Sequence, residues 1–293
     1  MPVVAVVNRK GGSGKSTLAT HLAGYCANRG LPVMLGDVDR QQSSLAWLRR
    51  RAAQPQAQGA QIVGWAADTK SVLRPPASIT HVVLDTPGGL RGLELARVVM
   101  NADAVLIPVC SSAFDRESAL DCHAELMTLP RVASGRCKLA VVGMRLDART
   151  SAAALLETWA ARHKLPYVGA LRETQVYVRG VEQGLTVFDL PASKVQADLA
   201  QWQPILDWVE AAWAPKRTAS TASRPQAPAR LRAPLPTPAP APAPAAEAAP
   251  ERAPSSLPRV VLMHDVLSRT SPPTFAERVL GRLFAAFRAP HRT

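Results

Sequence analysis

Residues 8–17 read NRKGGSGKST, and this stretch decides the fold. An apolar, β-branched run, VVAVV (3–7), precedes it, and helical periodicity over Ser16–Arg29 follows it. Strand, glycine loop and helix in that order make a phosphate-binding loop. Glycines let backbone N–H groups turn inward on phosphate oxygens, and the start of the helix adds its positive dipole end. Lys15 is expected to reach the β- and γ-phosphates, and the Ser16 hydroxyl to ligate Mg²⁺. A glycine turn that merely joins strand to helix is the plainer alternative, but the complete order favours a nucleotide. Two features are unusual. Arg9 stands where such a loop has its first glycine, and a second lysine, Lys10, precedes Lys15 by five positions.

Working outward, short apolar runs alternate with helical patterns as far as residue 213. The runs at 3–8, 32–39, 81–85, 104–109, 138–144 and 166–171 read as buried parallel strands, nearly continuous in apolar residues because helices cover both faces. Ser16–Arg29, Leu90–Asn101, Asp115–Leu129 and Ser151–His163 read as helices. The expected fold class is α/β, a doubly wound and mostly parallel sheet. A last helix, about Val195–Ala212, is rich in tryptophan (Trp202, Trp208, with Trp213 at its end) and is expected along one sheet edge. Two acidic strand ends fall near the loop. HVVLDTPGG places Asp85 where it can hold Mg²⁺ through water. DVDRQQSS offers Asp37 and Asp39, of which one can cap the next helix and the other orient an attacking water.

The formal charge is +13, which directs attention to acidic partners such as nucleic acid or an anionic membrane. The excess is uneven: residues 1–213 hold 23 Lys/Arg against 18 Asp/Glu, and residues 214–293 hold 12 against 4. Cys26, Cys110, Cys122 and Cys137 show neither metal-ligand spacing nor a dense disulfide pattern, as expected of reduced thiols in a cytoplasmic protein. The opening apolar run is too short for a signal peptide, and no stretch approaches the roughly 18 apolar residues of a bilayer span. The composition breaks after Trp213. Residues 214–257 are expected to be a disordered, basic Pro/Ala-rich linker. In 258–293 helical spacing returns: Phe275, Val279, Leu283 and Phe287 form a modest apolar face beside Arg278, Arg282 and Arg288.

KGGSGKST resembles the deviant loop KGGxGK[ST]T of the ParA/MinD group of P-loop ATPases, and the resemblance covers most of residues 1–213. It implies ATP and Mg²⁺ as cofactors, bound by Lys10, Gly11, Gly12, Ser13, Gly14, Lys15, Ser16 and Thr17. It implies a homodimer that sandwiches nucleotide, with Lys10 reaching the partner's phosphates. A second positive charge is useful there because phosphoryl transfer spreads negative charge over the γ-phosphate oxygens. DVDRQQ matches the family's DxDPQ, which gives Asp39 the water-orienting place near the metal; Arg40 replaces the proline. LDTPGG, with Asp85, fits the pattern of a hydrophobic residue followed by D-T/S-P. ADAVLIPVCSSAFD resembles ADxVLIPxxPSxxD, with Ser111 for the proline. VVGMRLDART and LRETQVYVRGVEQGLTVFD carry softer resemblances. The implied catalytic set is Lys10, Lys15 and Asp39, and the implied metal set is Ser16, Asp39 and Asp85.

ParA-like members partition or position a cargo, such as a plasmid, a chromosome or a protein assembly. The resemblance therefore implies nonspecific DNA binding by the ATP dimer and a ParB-like or other protein that stimulates hydrolysis. Arg145, Arg149, Arg172, Arg179 and Lys194 are the candidate DNA contacts, and the protein is expected in the cytoplasm on the nucleoid. The Arg49–Arg51 run reads as a second basic patch or as a solvated helix face. The C-terminal segment leaves a MinD-like alternative open, a membrane-surface regulator whose basic helix docks on lipid or on a protein.

Overall fold

The computed structural model describes residues 1–57, 59–67, 75–147 and 149–214. The linker expected at 214–257 and the helix expected at 258–293 lie, beyond Ala214, outside the described residues. Seven parallel strands form one sheet: β1 (Val3–Val6), β2 (Val33–Asp37), β3 (Ile62–Ala66), β4 (His81–Asp85), β5 (Ala104–Val109), β6 (Lys138–Leu146) and β7 (Tyr167–Arg172). Their order is β3-β2-β4-β1-β5-β6-β7. The chain builds outward from β1 in one direction, returns to lay β4 beside it, and then builds the other way from β5. The strand order thus reverses at β1, and ligands in such sheets bind outside the carboxyl ends of the strands at that point. The NRKGGSGKST loop leaves β1 there.

Alternation along the strands makes two cores. Val3, Ala5 and Val7 join Val82, Leu84, Val105, Ile107, Leu139 and Val141 on one face. Helices α3 (Gly92–Asn101), α4 (Ala113–Thr128), the short α5 (Pro130–Ala133) and α6 (Ala152–Arg162) cover it. Val4 and Val6 point to the other face with Val83, Leu106, Ala140 and Val142. There α1 (Lys15–Asn28), α2 (Ser43–Arg51), α7 (Gln175–Gln183) and α8 (Ala192–Trp213) close the layer. Burial on both faces explains why the strands read as unbroken apolar runs. The tryptophan-rich helix does more than line an edge: Trp202, Ile205, Leu206 and Val209 are buried in the core shared with α1, and the Trp213 ring packs edge-on against His81 of β4, centroids 4.9 Å apart.

Among the longer elements, β3 and α7 go beyond the sequence reading. β3 is a short edge strand interrupted by Gly64, with Ile62, Val63 and Trp65 too few to announce it. α2 is the helix expected after the DVDRQQ segment. α7 contains three valines and Gly180, all weak helix formers, yet Thr174 caps it by accepting from the Val176 N–H at 3.3 Å, and Gly184 ends it in the left-handed region at φ +75°.

The Arg49–Arg51 run is not one solvated face. Arg49 and Arg50 are exposed, but Arg51 is buried. Its guanidinium lies over the Trp47 ring and donates to both oxygens of Asp189, at 2.7 and 2.8 Å. Asp189 also accepts from the Thr186 N–H and hydroxyl, each at 2.7 Å, and from Asn28 Nδ2 at 2.9 Å. Burial pushes this carboxyl up, and Arg51 and its other donors outweigh the effect, holding it below the ordinary value. The lock joins the ends of α1 and α2 to the turn at Val187–Asp189.

Candidate phosphate-binding site

The loop after β1 wraps back on itself because two of its glycines are left-handed, Gly12 at φ +73° and Gly14 at φ +91°. Gly14 is the N-cap of α1 and has no side chain with which to cap it. Among the described residues, no backbone N–H from Gly11 to Thr17 donates to a protein acceptor. A helix start with its N–H groups unpaired, behind a glycine loop, makes an anion-binding concavity. Lys15 is 7% exposed, and its ammonium donates to the Lys10 carbonyl at 2.9 Å, arching over the loop. Burial pushes its pKa down, opposed by the charges of Asp85 and Asp39. Ser13 is buried, its hydroxyl donating to the same carbonyl at 3.3 Å.

The carboxylates divide the work. Asp37 does the capping: its Oδ2 accepts from the Ser44 and Leu45 N–H groups at the start of α2, at 2.9 and 3.2 Å, and its Oδ1 from the Asp39 N–H at 3.1 Å. That leaves Asp39 free to line the cavity. Asp85 is fully buried at the end of β4. Its Oδ2 accepts from the Ser44 hydroxyl at 2.5 Å, while Oδ1 has no hydrogen-bond partner among the described residues. Burial pushes Asp85 up to about 6, against the pull of the Ser44 and Ser16 hydroxyls. A buried, half-satisfied carboxylate beside a serine hydroxyl fits a hard cation. Among the described residues no cluster of three or more His, Cys, Asp or Glu could hold a metal by itself. The oxygen donors of Asp85 and Ser16 fit Mg²⁺, which commonly takes one or two carboxylates together with substrate phosphates. Ser16 and Asp85 would hold it, with Asp39 beside them.

These groups open on a cavity of about 920 Å³. Gly11, Gly12, Gly14, Lys15, Ser16, Thr17 and Asp39 line it, together with Met144, Arg145, Leu171, Arg172 and Tyr177. The volume is at the upper end for small-molecule sites. Lys10 is absent from this lining. It is 38% exposed, and its ammonium sits 2.7 Å from Asp115 Oδ1, at a second cavity of about 370 Å³ that it shares with Cys110, Ser111 and Ser112. Ser112 caps α4, accepting from the Asp115 N–H at 3.2 Å, and so fixes the lysine's partner.

The structure brings Lys15, Ser16, Asp39 and Asp85 together with the glycine loop, and sets Lys10 at its outer edge. Of the five basic candidates, three are engaged in ion pairs. Arg145 pairs with Glu173 at 3.1 Å and lines the cavity; Arg149 pairs with Asp147; Arg172 is held by both oxygens of the buried Asp198, at 2.8 Å each. Arg179 and Lys194 are exposed without an ion pair among the described residues. Sequence reasoning missed Ser44, the donor to Asp85, and Tyr177 in the cavity wall. Ser44 carried a signal in DVDRQQSS, two serines placed to start a helix; Tyr177 lay in a helix not foreseen.

Comparisons with known proteins identify the family and the fold. The CobQ/CobB/MinD/ParA nucleotide-binding domain model matches residues 4–187. The chain is 28% identical over 192 residues to the maintenance of carboxysome distribution protein A of Halothiobacillus neapolitanus, covering 64% of this chain and 88% of that protein. It is 29% identical over 217 residues to the protein of the same name in Gloeobacter kilaueensis, covering 72% and 95%. Among solved structures, the ATP complex of a Cyanothece McdA variant superposes with a TM-score of 0.55 at 16% identity, covering 74% of this chain and 98% of that one, a likeness of fold. The chain belongs to the CobQ/CobB/MinD/ParA family of nucleotide-binding proteins, and its loop places it with the ParA and MinD members.

Proposed function

We propose that this protein is a ParA-like ATPase. Two protomers close around Mg–ATP, the closed dimer associates with DNA nonspecifically, and a partner protein stimulates hydrolysis and resets the cycle. The observation that carries the reading is the divergence of the two loop lysines. Lys15 arches over its own loop, whereas Lys10 leaves it and rests half-exposed on Asp115, outside its own cavity. A lysine that serves a second copy's phosphates needs this outward placement, and it must exchange Asp115 for phosphate when the copies meet. In the cycle Lys15 and the loop N–H groups hold phosphate, and Asp39 orients water. Mg²⁺ on Ser16 and Asp85 would neutralise charge developing on the phosphates. Nonspecific DNA contact falls to charges without an ion pair among the described residues: Arg179 and Lys194, with Arg49 and Arg50 on the adjoining α2. The cargo class is DNA or a large protein assembly, the latter favoured by the names of the two relatives.

One experiment tests the reading. Full-length protein with Mg–ATP or Mg–ADP is offered plain duplex DNA and anionic vesicles together and separated by flotation. Retention on DNA with ATP, fading as salt rises and lost in Lys10→Ala, is the expected result. ATP-dependent flotation with vesicles would replace the reading by a MinD-like regulator at the membrane surface.

A further inference from the structure

Arg9, the residue standing in place of a loop glycine, turns away from the cavity toward α4. Its guanidinium pairs with Glu125 and lies 3.5 Å from Asp121. The other Glu125 oxygen accepts the Gly92 N–H, at the start of α3, at 2.6 Å. The Arg9 carbonyl accepts the Gly89 N–H, also at 2.6 Å. The run from Thr86 to Gly92 is thereby tied to Arg9 and its partner in two places, while the Thr86 hydroxyl anchors its beginning to the Val6 carbonyl at 2.7 Å. The two loops touch: a Cβ on Gly88 would stand 3.2 Å from the Gly11 nitrogen. Pro87, Gly88 and Gly89, which follow Asp85 and Thr86, line the same cavity as Gly11 and Gly12. Burial pushes Glu125 up, and Arg9 and the Gly92 N–H outweigh it. Both partners are only about a quarter exposed, so solvent competes weakly for the pair.

We propose that Arg9 and Glu125 form a clasp that holds the Thr86–Gly92 rim against the phosphate-binding loop, with Glu125 a positioning residue for hydrolysis. The inference rests on the ATPase reading above. Neither side chain reaches the phosphate pocket; Glu125 acts on the Gly92 N–H and the Arg9 guanidinium holds Glu125 in place, while the Arg9 main-chain carbonyl holds Gly89. The loop N–H groups and Lys15 grip phosphate with or without the clasp, so nucleotide binding survives its loss. A rim free to drift leaves the reacting end of the site misplaced and open to water, and small displacements there cost rate.

The test combines steady-state ATP hydrolysis by the full chain with hydrogen exchange of the peptide spanning 86–92. Glu125→Ala is expected to lower kcat about tenfold with KM within about twofold, and to speed exchange across 86–92. Glu125→Gln keeps an acceptor for Gly92 but not the charge for Arg9, and should fall between Glu125→Ala and the native protein. Arg9→Gln combined with Glu125→Gln should be no worse than Glu125→Gln alone, since the two act as a unit. Unchanged kcat, or unchanged exchange, overturns the clasp, as does a loss confined to KM and melting temperature. If the native protein hydrolyses no ATP, the ATPase reading fails together with the turnover role, and the exchange arm alone then decides whether the clasp exists.

Discussion

Two buried carboxylates stand at opposite ends of α1, and they are used in opposite ways. Asp189, near Asn28, is saturated: Arg51 takes both its oxygens, and Thr186 and Asn28 supply three more donors. Asp85, near Ser16, has one oxygen on Ser44 and the other on nothing among the described residues. The environments drive the two carboxyls apart, Asp189 below the ordinary range and Asp85 up to about 6. Residue type is the same and both side chains are shielded from solvent; the inventory of donors differs. A satisfied buried charge is architecture, and an unsatisfied one beside a glycine loop is a place for a ligand.

The largest expected effect breaks the satisfied end. Asp189→Ala leaves Arg51 buried without its partner and should cost about 3–5 kcal/mol in chemical denaturation. Arg51→Met with Asp189→Leu should recover most of that loss. Asp85→Asn should behave differently, holding the stability of the nucleotide-free protein while lowering Mg²⁺ affinity about ten- to a hundredfold in a titration with ATP.

Next in size is a titration of the group that lies between them on α1. His21 is fully buried, stacked on Trp202 with ring centroids 5.5 Å apart, and its Nδ1 donates to the Thr17 carbonyl at 2.8 Å. Nε2 is buried without a hydrogen-bond partner among the described residues, and burial lowers the pKa to about 4. The folded-state pKa lies below the unfolded one. Its contribution to stability is therefore complete above about pH 6.5 and is lost as pH falls toward 4, to the extent of about 3 kcal/mol. His21→Leu should flatten that slope in denaturation curves taken between pH 4 and 7.

The smallest effect separates neighbours on one loop. Asp37→Ala removes the cap of α2 and should cost about 1–2 kcal/mol. Asp39→Ala should change stability by less than about 0.5 kcal/mol while slowing ATP hydrolysis. Thermal melts beside an activity assay check both, and a large melt shift for Asp39→Ala would exchange the two roles.

The loop, the alternation of strands and helices, and the Asp85 strand end were legible because each is local: glycines, a lysine and an apolar run carry their meaning within ten residues. The division between Asp37 and Asp39 was legible only as a pair, since which one caps depends on where α2 begins. β3 and α7 escaped notice because tertiary packing, rather than propensity, makes them: β3 is a short edge strand and α7 a valine- and glycine-containing helix pinned by Thr174 and Gly184. The burial of Arg51 was hidden in a run of three arginines, since charge runs look alike until one member meets Asp189, 138 positions along the chain. Separation in sequence also concealed Asp198, 26 positions on, as the partner of Arg172 and Glu125, 116 positions on, as the partner of Arg9.

The central claim is that the unsatisfied end of α1 is a Mg–nucleotide site. Calorimetric titration of Mg–ATP into the full-length native protein and into Lys15→Gln tests it most directly. One nucleotide bound per protomer, dependent on Mg²⁺ and abolished by Lys15→Gln, is the expected result. Equal binding by the two proteins, or none by the native one, would contradict it.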